Sequence, residues 1–140
     1  MRHTLTTLVA AFVFPTAALA GDLTVRIDGV HSDQGSILAA VYDSEASYMK
    51  QPAARATFKV KASRGTVQYV LHDLPPGKYA VSVFHDENGN GKLDRNLLGI
   101  PKEGYGFSNG LPGSGRPPAF SSAAFEFAGT TQSITISLHY

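Results

Sequence analysis

Apolar and polar residues alternate with a period of two along most of this chain, a pattern that half-buried β-strands satisfy and helices do not. Leu23, Val25 and Ile27 alternate with Thr24, Arg26 and Asp28, and a turn rich in Asp, Ser and Gly follows over residues 29–35. Residues 36–43 are apolar on both faces through Ile37, Leu38, Ala39, Ala40 and Val41, which predicts a strand in the middle of a sheet. Alternation returns at 55–61 (Phe58, Val60), at 66–72 (Val67, Tyr69, Leu71) and at 78–85 (Tyr79, Val81, Val83). The last strands are predicted at 120–127 and 132–140 through Phe125, Phe127, Ile134, Ile136 and Leu138. Residues 44–54 break the rhythm, with Ser44 placed to cap a short helix over 45–50 and Pro52 to end it. About seven short strands separated by turns predict an all-β chain, an antiparallel β-sandwich of immunoglobulin-like or transthyretin-like kind. The chain has no Cys and no Trp, so the Cys–Trp–Cys signature of a true immunoglobulin domain is absent.

The first twenty residues read as a targeting segment rather than as part of the fold. Arg2 and His3 are basic, residues 5–14 are mostly apolar, Pro15 follows, and Ala18-Leu19-Ala20 offers the small-x-small pattern of a signal-peptidase site. The apolar run is shorter than the roughly 20 residues a spanning helix needs. The expectation is therefore an exported protein, periplasmic or extracellular, with residues 21–140 as a single domain large enough for its own core. Removing Arg2 from the 12 basic residues leaves the acidic and basic side chains in balance. That balance argues against nucleic acid, which demands a basic footprint, and against anionic lipid as the main partner. Without cysteine there are no disulfides, no thiol catalysis and no thiolate metal sites.

Residues 86–118 carry no strand pattern and are dominated by Gly, Asn and Pro, and loops that long are generally functional or disordered. Their first part is the most specific local feature of the chain. Counted as an EF-hand loop, Asp86 takes position 1, Asn88 position 3, Asn90 position 5, Gly91 the glycine at 6, the Lys92 carbonyl position 7 and Asp94 position 9. Calcium takes six to eight oxygens, and alternate side chains on a tight loop converge on one point while the glycine permits the turn. Position 12 is Leu97, so the bidentate glutamate is missing, and Glu103 or an oxygen from elsewhere would have to complete the shell. With two charged ligands in the motif, affinity near the ~10⁻⁴–10⁻³ M of extracellular modules is expected. The other reading is a plain turn in which Asn88-Gly89 and Asn90-Gly91 supply positive φ.

Further along, Tyr105, Phe107 and Asn109 stand among glycines at 104–109, with Lys102 nearby. Aromatic faces on such a backbone could stack on a sugar or clamp a peptide, or fold back as lids over an open end of the sandwich. His72-Asp73 and His85-Asp86 are adjacent pairs, but neighbours on a strand point to opposite faces, so neither makes a ready dyad for a hydrolase. His31, His72, His85 and His139 lack the spacings of zinc motifs and read as surface or strand-end histidines. No catalytic constellation emerges, and a non-enzymatic module is the expectation.

Leu74-Pro75-Pro76-Gly77-Lys78-Tyr79-Ala80-Val81, followed by Phe84-His85-Asp86-Glu87-Asn88-Gly89-Asn90-Gly91-Lys92-Leu93-Asp94, resembles a bacterial exported family, domain-of-unknown-function family twenty-one forty-one. The continuation from Leu98 through Gly104-Tyr105-Gly106-Phe107-Ser108-Asn109 fits it, as does Pro118-Ala119-Phe120 before the strand with Phe125. The resemblance covers the whole of 21–140 and implies a small secreted or periplasmic β-domain without an assigned activity. The Pro-Pro-Gly-x-Tyr and Asp/Asn-rich elements are also similar to prealbumin-like modules of surface adhesins, which often carry calcium, a likeness at the level of fold.

Overall fold

Residue 13 and residues 19–110 and 116–140 are described by the structure, a computed structural model; the expected export signal at 1–20 lies outside the described residues save for Val13, Leu19 and Ala20. Eight strands occupy the described residues: β1 (Gly21–Val30), β2 (Ser36–Tyr42), β3 (Ala56–Lys61), β4 (Gly65–Leu74), β5 (Gly77–Asp86), β6 (Tyr105–Phe107), β7 (Phe125–Phe127) and β8 (Gln132–Ser137). They form two sheets. One has the order β4-β1-β8 and the other β3-β2-β5-β6, with β7 pairing the opposite end of the β5 edge that β6 occupies. The sheets face each other as a sandwich. Its filling is the inward half of each alternating run: Leu23, Val25, Ile27 and Ile136 from one sheet, Ile37, Val41, Tyr79, Val81 and Val83 from the other. Phe58 on β3 and Tyr69 on β4 stack across the gap at a centroid distance of 4.3 Å. Burying each such side chain contributes about 1.5–3 kcal/mol, so the regular alternation itself is the main source of cohesion.

Most strand pairs are antiparallel, but β1 and β8 run parallel, with Leu23 beside Gln132 and Asp28 beside Ser137. β2, apolar on both faces, does lie inside its sheet, between β3 and β5. Three local expectations are corrected. Residues 45–50 form turns, not a helix: Ser44 Oγ accepts from the Ser47 amide, Tyr48 N donates to Ser44 O at 3.1 Å, and Met49 then leaves the helical region at φ 60°. Pro52 lies within a 3₁₀ turn, Gln51–Ala53, instead of ending a helix, because its fixed φ suits a first turn whose amide needs no partner. Phe120–Ala123 is one helical turn (α1), which shortens the sixth predicted strand, 120–127, to Phe125–Phe127.

The stretch 86–118 also contains β6, which alternation could not reveal because it is three residues long and interrupted by Gly106. Its neighbour Ser108 continues the β5 edge: the Ser108 amide donates to Val81 O, the Val81 amide donates to Ser108 Oγ, and Ser108 Oγ donates to Ala123 O. One buried hydroxyl thus joins the β5 edge, the β6 segment and α1. No helix among the described residues is long and apolar enough to cross a membrane.

Candidate functional site

The loop after β5 is built around a buried carboxylate. Asp86, 1 % exposed, accepts at Oδ1 from the amides of Gly89 (2.9 Å) and Asn90 (3.1 Å) and at Oδ2 from Gly91 (2.8 Å). Three successive amides can converge on one side chain only if the chain curls tightly, and Gly89 and Gly91 permit that with φ of 74° and 75°. The curl brings alternate side chains together. Asn88 Nδ2 donates to Asp94 Oδ2, and Asn90 Nδ2 donates to Asp94 Oδ1 and Oδ2 at 2.9 and 3.0 Å. Hydrogen bonds from Asn90 and then Asn88 hold the Asp94 carboxyl below the usual carboxylate range, with Lys102 and Lys92 adding to the effect.

Glu103 does a different job from the shell ligand its sequence position allowed. It is 5 % exposed and closes the loop as a clamp: Oε1 accepts from the Glu87 amide and Oε2 from the Asp94 amide, each at 3.0 Å. The Lys102 amide donates back to Asp94 O at 2.8 Å, so the loop's two ends and the segment leading into β6 form one hydrogen-bonded unit. A cleft of about 330 Å³ opens there, lined by Glu87, Asn88, Asp94, Arg95, Lys102 and Glu103.

The loop fits calcium in part. Asn88, Asn90 and Asp94 converge side by side, and a half-turn of each asparagine amide would present oxygen in place of nitrogen to a cation at the Asp94 carboxylate. The Asp86 oxygens are largely engaged by amides and those of Glu103 each hold one, so the richest oxygen donors are structural first. Lys92 and Lys102 stand near enough to act on the Asp94 carboxylate, and their positive charge opposes a cation there. Such a donor set suits a weak site.

The aromatic segment divides. Tyr105 is half-buried and lines a second cleft of about 340 Å³, together with Phe84, Tyr42, Lys92 and Arg95. Phe107 also borders it, but at 5 % exposure its ring belongs mostly to the interior. Asn109 is exposed, yet its amide donates to Ser122 O and Ala124 O, tying α1 to the end of β6. Of the two rings, Tyr105 retains the more open face.

The histidines separate as well. His72 is exposed and pairs with Asp22 at 3.0 Å, as a surface residue does. His85 is no surface residue. It continues the inward row Tyr79, Val81, Val83 and is fully buried at the end of the sandwich, where Nε2 meets Gln34 O at 2.7 Å and Nδ1 meets the Tyr140 hydroxyl at 2.8 Å. His31 and Glu87 lie against it, with His31 Nε2 hydrogen-bonded to Glu87 Oε1. Sequence spacing could not join these three residues; the one available signal was the phase of His85 within β5.

Neither a curated protein nor a solved structure matches the chain. A family description does match, over residues 25–135, which takes in β2 to β7 whole and the greater part of β1 and β8, together with the Asp86–Asp94 loop. The chain belongs to that bacterial family, described as "Uncharacterized protein conserved in bacteria (DUF2141)".

Proposed function

We propose that the protein is an exported, non-enzymatic binding module whose 86–94 loop takes up calcium and thereby fixes the segment that leads into β6. The observation that carries this reading is the convergence of Asn88 and Asn90 on the Asp94 carboxylate above the buried Asp86, at the alternate spacing an oxygen-coordinated cation needs. The Glu103 clamp and the Lys102–Asp94 bond supply the mechanical link, since any change in loop order is felt at residues 102–105. Calcium binding would stabilise by mass action, by about 1.4 kcal/mol at ten times the dissociation constant. A weak site is therefore useful only where calcium is near millimolar, as it is outside cells. Calorimetric titration of calcium into the chelator-treated protein is expected to give a dissociation constant of about 10⁻⁴–10⁻³ M. Asp94→Ala, a change at a half-buried loop side chain outside the core, should abolish the heat while leaving the fold intact; an unchanged titration in that variant would sink the proposal.

A second reading rests on the Tyr105 cleft, where an open aromatic face lies beside Lys92 and Arg95. That chemistry suits a glycan or an extended peptide, with the ring for stacking and the cations for hydrogen bonds. Binding on a glycan or peptide array that disappears in Tyr105→Ala would favour it, and arrays blank for the wild type would remove it.

A further inference from the structure

The open end of the sandwich carries a cluster that the calcium loop does not use. It arises from the parallel pairing of β1 and β8. The register sets Leu23 beside Gln132 and Asp28 beside Ser137, and beyond its end the Leu138 amide donates to Asp28 O and His31 lies against Tyr140. Their rings stack at 3.7 Å, and the His31 amide donates to the Tyr140 hydroxyl at 3.2 Å. β5 ends at the same rim and contributes His85 and Glu87, while the turn before β2 contributes Gln34. Space for the tyrosine is made by Gly104, where a Cβ would lie 2.4 Å from the Tyr140 ring.

We propose that His31, His85 and Glu87, with the Tyr140 hydroxyl beside them, form a binding site for a divalent transition-metal ion of the zinc class. The ligand atoms are already gathered: one from each of the three residues lies within 4.8 Å of the others, and His85 Nδ1 is 3.6 Å from Glu87 Oε1. Ligands on one tetrahedral zinc, with bonds near 2.0–2.1 Å, stand about 3.3 Å apart, so the adjustment required is small. It falls on His31 at 48 % and Glu87 at 27 % exposure, and on the Tyr140 hydroxyl, which must give up the bond it now donates to His85 Nδ1. The buried partner needs no adjustment of tautomer. A carbonyl oxygen only accepts, so His85 Nε2 carries the hydrogen that Gln34 O receives, and in the neutral ring Nδ1 then holds the lone pair. An imidazole with its far nitrogen donating to a backbone carbonyl is the usual support for a metal-ligating histidine. Ser32 Oγ donates to Glu87 Oε1 at 3.0 Å and orients the carboxylate in the same manner.

Two imidazoles and one carboxylate make a donor set for zinc and its neighbours, with a fourth position left for water or the Tyr140 oxygen. It is a poor set for calcium, which takes oxygen. The site takes from the loop only the Glu87 side chain, which the calcium donor set leaves out, and so stands whether or not the loop binds calcium. The competing account is a hydrogen-bonded plug that closes the end of the sandwich and binds nothing.

The deciding experiment is calorimetric titration of zinc into the chelator-stripped protein, wild type and His31→Ala, with thermal melts alongside and a repeat in millimolar calcium. One zinc per chain is expected, with a raised melting temperature and no competition from calcium. His31 is half exposed, so His31→Ala should fold, and it should weaken zinc by more than the ~10–100-fold that loss of a merely supporting residue costs. Absence of saturable binding, equal affinity in His31→Ala, or displacement of zinc by calcium would each overturn the proposal.

Discussion

Tyr48 illustrates how a single side chain carries a cost that the alternating pattern does not display. Its ring packs edge-on against Tyr42 and Phe120, but among the described residues its buried hydroxyl has no hydrogen-bond partner. Burial, with a smaller contribution from Tyr42, pushes its pKa from 10.0 up to about 12. A phenol whose folded pKa is raised holds its proton longer in the folded state. Its contribution to stability is complete below pH 10 and is lost as pH rises from 10 toward 12. Tyr48→Phe should therefore raise stability by about 1 kcal/mol at neutral pH, the penalty of one unsatisfied hydroxyl. It should also flatten the loss in that alkaline window, and denaturant unfolding of both proteins at neutral and alkaline pH checks both effects. At the same scale, the convergence on Asp94 was legible because ligand spacing is local. The roles of Asp86 and Glu103 as amide acceptors were not, because a carboxylate's partners depend on where the backbone curls.

At the scale of elements, period-two alternation located seven of the eight strands, since a half-buried strand must alternate. It extended too far where apolar residues recur without a sheet to receive them: Phe120–Ala123 turns as a helix and places Ala123, not Phe120, in the interior. It fell short at β6, where three residues with a central glycine give no countable period. Ser108 shows why such a short strand persists. Its backbone and hydroxyl occupy the ladder position at Val81 that would otherwise lie between β6 and β7 without a partner. The stretch from the end of β5 to Ser108 is thus less a free excursion than a strap, pinned at Glu103, at the Tyr105–His139 bridge and at Ser108.

For the whole molecule, the sandwich class follows from the count of strands and their one-sided burial, whereas the parallel β1–β8 pair does not. Pairing between residues more than a hundred positions apart leaves no trace in local pattern, and it is this pairing that sets Tyr140 beside the His31–His85–Glu87 cluster. Both candidate cation sites consequently gather at one end of the fold, on either side of Glu87, with the Tyr105 cleft adjoining the loop. On the function proposed above, calcium at residues 86–94 orders the strap as far as residue 109. Amide hydrogen exchange with and without millimolar calcium tests it most directly. Protection should rise across 87–94 and also across 102–109, while β1 and β4, on the opposite sheet, stay unchanged. Exchange that is the same at both calcium levels, or slowed equally everywhere, would contradict the account.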